Sequence, residues 1–171
     1  MDPLVIILRF IHVVSGAVWV GMVVFTTFFL MPAVAEAGPD GGKVMAGVQR
    51  RGVMTLLPIL AIATLLSGLW LYVRAAAGMH AEFARSPVGM AFGLGGLAAI
   101  LAWLVGMIVL RPSMLKAMAL AQSLGPSTSA DERQHVMAEA QRLRTRAAAA
   151  SRATAWLLLI AVTAMAVARY L

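Results

Sequence analysis

A chain of 171 residues with 61% apolar and only 12% charged side chains lies far from a soluble domain, in which about a quarter of residues carry charge. The absence of cysteine excludes disulfides, thiolate metal sites and covalently attached c-type heme. The net charge of +7 reads as membrane topology, because basic residues collect in cytoplasmic loops; no nucleic-acid partner is expected.

Four stretches hold no Asp, Glu, Lys or Arg: residues 10–35, 52–73, 86–110 and 153–168. A helix rises 1.5 Å per residue, so about 20 apolar residues cross a hydrocarbon core about 30 Å thick. The first three stretches are long enough. The fourth is short, and Arg152 and Arg169 extend it by snorkelling their charges to the two interfaces. The expected fold is an all-α integral membrane protein. It is a four-transmembrane-helix up-down bundle forming one domain over residues 1–171.

Helix one is expected over residues 3–31. Pro3 suits a helix start because its missing N–H would have no partner there. Acidic Asp2 and the length of the stretch argue for a retained helix rather than a signal peptide. "EAGPDGGK" reads as a turn-rich connection. Helix two is expected over residues 44–74, kinked at Pro58, with Trp70 and Tyr72 near the outer interface. "AAAGMHAEFARSP" forms the outer connection, and helix three starts at Pro87 with the small-residue run "GMAFGLGG".

Beyond Leu110 the chain still reads as helix through "PSMLKAMALAQSL" and stops at Gly125-Pro126. Ser129 and Glu132 form a capping box, and Asp131 favours the first turn. Helix four is expected to run unbroken over residues 130–170, about 60 Å. Helices three and four thus extend into a cytoplasmic helical hairpin over residues 112–150. Ten Lys and Arg fall in the first and third connections, against four (Arg9, Arg74, Arg85 and Arg169) on the other side. This asymmetry puts both termini in the periplasm of a bacterial cytoplasmic (inner) membrane.

In helix one, His12, Gly16, Trp19 and Val23 recur at spacings of four, three and four, and so share one face, with Ser15 beside it. Glycine one turn from an imidazole leaves room that a flat macrocycle or a neighbouring helix can fill. Imidazole is an axial ligand of heme iron and also suits copper. Arg9, one turn toward the outside, is placed to pair with a heme propionate. The plainer alternative is a histidine bonded to another helix or to interfacial water. His80, next to Met79 in the outer connection, is the one other histidine on the same side; it is either a second metal ligand or a solvated loop residue. His135 belongs to the cytoplasmic hairpin. The 12 methionines form no tight cluster on the outer side, and no carboxylate pair lies in a span.

The motif "LRFIHVVSGAVWVGMVVF", with His-x-x-x-Gly-x-x-Trp-x-Gly, resembles the superfamily of the copper resistance protein D membrane domain. It is also similar to the four-helix membrane protoporphyrinogen oxidase of bacteria. "RRG" before helix two, "SGLWLY" at its end and "MAVARYL" at the C-terminus extend the likeness over the membrane part. The resemblance implies a compact bundle with a heme or metal site at its outer end. His12 matches the family histidine, and Gly16, Trp19 and Gly21 match the pattern around it. The oxidase group carries a lysine in helix three, and residues 86–110 hold none here, so porphyrinogen oxidation is not implied. Copper resistance protein D has more helices and more outer Met and His, so independent copper import is not implied either.

Three functions follow as expectations. The first is a redox-related membrane protein binding heme b through His12, Arg9, Gly16 and Trp19, with quinone or a periplasmic protein as redox partner. The second is copper handling through His12 and His80. The third is a non-catalytic subunit of a larger membrane complex, or a homo-oligomer. In that case "RLRTRAAAASR" meets anionic lipid or an acidic partner, unless it only sets the topology.

Overall fold

The computed structural model describes residues 2–77, 80–125 and 129–171. Every regular element among them is helical. The helices are α1 (Pro3–Glu36), α2 (Pro39–Arg50), α3 (Val53–Ala75), α4 (His80–Arg85), α5 (Pro87–Gln122) and α6 (Ala130–Tyr170). Of these, α1, α3, α5 and α6 are long and apolar enough to cross a membrane.

The starts follow local chemistry. Asp2 accepts the Leu4 N–H at 3.0 Å ahead of Pro3. Ser86 accepts the Gly89 N–H at 3.1 Å ahead of Pro87. Ser129 accepts the Glu132 N–H at 3.2 Å. Each side-chain oxygen takes up an amide that the helix itself leaves unpaired. From Ser129 onward α6 runs without a break, its last turn (Ala168–Tyr170) tightening to 3-10 geometry.

Two boundaries differ from the sequence reading. Helix one does not stop before Pro32 but continues to Glu36. It does so through a π-turn at Thr26–Leu30, where the Met31 N–H reaches the Thr26 carbonyl. A proline ring inside a regular helix collides with the carbonyl four residues back and cannot donate to it. Widening the preceding turn relieves that collision. Helix α5 has the same device: a π-turn at Gly106–Leu110 immediately precedes Arg111 and Pro112. The second difference lies between the first two spans. Instead of a long turn and one helix, there is a separate amphipathic helix α2, bounded by Gly38 (φ 57°) and Gly52 (φ 80°). Both glycines have a positive φ, which side-chain-bearing residues avoid, and Gly52 is left-handed α.

Helix α1 packs along α3, and α5 packs along α6; α3 also touches α5, and α1 touches α6. Trp19, Ala61, Ala98, Ala99, Ala102, Leu158 and Ala161 form the buried centre. One tryptophan and one leucine among alanines bring the helix backbones close, as in membrane bundles, where packing rather than water exclusion drives association. Beyond that centre the α5–α6 hairpin closes on its own small-residue seam. Ser113 and Ala117 of α5, and Ala140, Leu143, Ala147 and Ala150 of α6, are buried. Large apolar side chains such as Phe10, Phe29, Leu66, Leu94 and Ile108 point outward, the surface a bilayer would cover.

Candidate functional site

The polar residues of the first two spans meet. His12 Nδ1 lies 2.8 Å from the Thr64 carbonyl oxygen. A carbonyl only accepts, so Nδ1 carries the hydrogen, and in the neutral ring Nε2 keeps its lone pair. Ser67 donates to the Ala63 carbonyl at 2.5 Å and sits 3.5 Å from the same ring nitrogen. Below it, the Ser15 and Thr64 hydroxyls are 2.8 Å apart. They also lie 2.6 Å from the Ile11 carbonyl and 2.7 Å from the Leu60 carbonyl, respectively. Two hydroxyl hydrogens serve these three contacts, so one hydroxyl donates to the other and that one donates to its own helix.

Two glycines make this contact possible. A Cβ added at Gly68 would stand 2.6 Å from His12 Cε1 and 2.9 Å from Nδ1. A Cβ added at Gly16 would stand 3.3 Å from the Thr64 methyl. His12 therefore fills the notch of Gly68, and Thr64 fills the notch of Gly16. His-x-x-x-Gly on α1 interlocks with Thr-x-x-x-Gly on antiparallel α3. The same register continues inward, where Trp19 and Ala61 share the buried centre. It continues outward to an Arg74–Asp2 ion pair of 3.8 Å.

The predicted residues separate into distinct places. His12 is half-buried at the α1–α3 seam. The space beside Gly16 belongs to Thr64, so α3 occupies the room in which a macrocycle was one of two expected occupants. Trp19 is buried at the bundle centre. Arg9 is exposed in a groove with Asp2 and Arg74 that His12 does not line. His80 opens α4, but its side chain lies outside the described residues, and so does its pairing with His12. Met79 lies outside them altogether. His135 is exposed on the α6 part of the hairpin. Among the described residues no group of three or more His, Cys, Asp or Glu could hold a metal ion.

Thr64 was not singled out from the sequence, and Ser67 and Gly68 entered only within "SGLWLY", as part of the family likeness. Their signal is "TLLSG" inside an apolar run: a Thr-x-x-x-Gly that matches the His-x-x-x-Gly spacing of α1.

No family profile, curated protein or solved structure matches the chain.

Proposed function

We propose that this is a redox-related protein of the bacterial cytoplasmic membrane, an up-down four-helix bundle with its hairpin in the cytoplasm. In this reading His12 would hold a b-type heme at the outer end of the α1–α3 seam. The carrying observation is the Nδ1–H bond to the Thr64 carbonyl at 2.8 Å. Heme-ligating and metal-ligating imidazoles bind through one nitrogen while the other donates to a backbone carbonyl or carboxylate, which fixes the tautomer and ring orientation. Thr64 supplies the carbonyl, and Gly68 supplies the space for the ring. The heme, when bound, supplies one-electron chemistry. Thr64 fills the seam beside Gly16, so that side of the half-buried ring would not hold the group. This reading assigns the group one imidazole of this chain, and any second would come from another subunit or protomer.

A second reading has its own observation. The interlocked His12–Gly68 and Thr64–Gly16 contacts form a complete helix clasp, which suits a non-catalytic subunit of a membrane complex.

The test is a visible spectrum of the detergent-purified protein, oxidised and reduced, with metal analysis. The expected result is a Soret band with reduced α and β bands, abolished in His12→Ala and retained in His135→Ala. Full heme content in His12→Ala refutes the ligand. Copper without porphyrin would favour copper handling through His12 and His80. A sample that stays colourless after hemin addition would leave the clasp reading.

A further inference from the structure

Arg9 poses a separate problem. It stands six residues after Pro3, about 9 Å along the helix axis, and its neighbours on α1 face outward. Ile6 is 54% exposed, Phe10 67% and Val13 59%. A guanidinium among lipid-facing side chains is costly unless it snorkels to the interface and finds a counter-charge there. Arg9 lines one groove with Asp2 and with Arg74 from α3. The Asp2 carboxylate already accepts the Leu4 N–H at 3.0 Å and faces Arg74 at 3.8 Å. Arg9 has no hydrogen bond or ion pair to any described residue. Among the described lining residues, two guanidiniums and one carboxylate leave one uncompensated positive charge at the groove's polar end. Ile6, Phe10 and Val13 make its remaining walls apolar.

We propose that this groove binds an anionic phospholipid of the outer leaflet. Its phosphate sits between Arg9 and Arg74, and its acyl chain runs along Ile6, Phe10 and Val13. A phosphodiester carries the one negative charge the groove lacks, and guanidinium pairs with phosphate in fork geometry. The apolar walls select a lipid over free phosphate. A zwitterionic headgroup would add an ammonium to a site already rich in positive charge. The proposal needs no bound heme but claims Arg9 for the lipid, and its outer leaflet rests on the orientation proposed above.

The experiment is native mass spectrometry of the full chain in detergent, titrated separately with phosphatidylglycerol and phosphatidylcholine. The wild type should retain phosphatidylglycerol several-fold better. Arg9→Gln should remove most of that preference, and Asp2→Asn, which frees Arg74, should increase it. Arg142→Gln with Arg144→Gln on the hairpin is the control for unspecific attraction of anionic lipid and should leave the preference in place. Equal retention of the two lipids, or a preference lost only in the hairpin variant, overturns the proposal. So does displacement of the lipid by millimolar inorganic phosphate, which would mark a plain anion site. A dimer in place of a lipid adduct, abolished by Arg9→Gln, would make a second copy the occupant. Heme content that falls with Arg9→Gln would assign the guanidinium to a propionate instead.

Discussion

Replacing Gly68 by alanine tests the clasp directly. The new methyl stands 2.6 Å from His12 Cε1 and 2.9 Å from Nδ1, whereas carbon atoms in contact prefer about 3.5–4.0 Å. The ring must retreat by about 1 Å. Its bond to Thr64, now 2.8 Å, then stretches past hydrogen-bonding range. Losing such a bond inside a membrane protein costs about 0.6 kcal/mol on average and up to about 1.7, and forced repacking adds about 1–3 kcal/mol. The better helix propensity of alanine returns up to about 1 kcal/mol. The net expectation is a loss of about 1–3 kcal/mol, read as a lower midpoint of thermal unfolding in detergent by circular dichroism. Gly21→Ala is the control, since nothing lies within 4 Å of its added Cβ; it should match or exceed the wild type. Gly16→Ala, with Thr64 at 3.3 Å, should fall between the two. In a His12→Ala background the Gly68→Ala penalty should disappear, because the ring it strikes is gone. A Gly68→Ala protein as stable as Gly21→Ala, or a penalty undiminished without His12, refutes the interlocked geometry.

Other substitutions probe other contacts. Thr64→Val keeps the methyl in the Gly16 notch but removes the hydroxyl bridging to Ser15; it should cost about 0.5–1.5 kcal/mol, and a raised unfolding midpoint would contradict that pairing. Thr154→Val is expected to be neutral or stabilising. The Thr154 hydroxyl is buried with no partner among the described residues, and a clear drop in the unfolding midpoint would reveal one. At Gly52, with φ 80°, alanine should cost about 1 kcal/mol and asparagine less; equal melting curves for both would count against a left-handed residue there. The cysteine-free chain also permits a topology test with a membrane-impermeant maleimide. Ala81→Cys should label in intact spheroplasts and Ala138→Cys only after lysis, and the reverse pattern inverts the orientation.

The four apolar stretches were legible because bilayer thickness sets the length of an apolar run, and that length survives any arrangement of the helices. The unbroken α6 and its Ser129 cap were legible for a similar reason: capping and helix propensity act within a few residues. The His12–Gly16–Trp19 face follows from helical periodicity alone. Its partner does not. Thr64 and Gly68 meet His12 and Gly16 only because α3 adopts one rotation and one antiparallel register against α1. That choice rests on side-chain volumes distributed over both helices, not on any local run of residues. The prolines show the same division. Pro32 looks like a helix end by local rules, yet α1 passes through it by widening the turn before it, as α5 does before Pro112. The sequence by itself determined the four long apolar helices, which face of α1 carries the imidazole and where the charges gather, but not the short helix α2. Only the tertiary structure decided that α3 fills the space beside Gly16, that the Thr64 carbonyl holds Nδ1, and that Arg9 turns to a groove with Arg74. Contacts between helices depend on the mutual fit of two surfaces, and a single helix contains only half of that information.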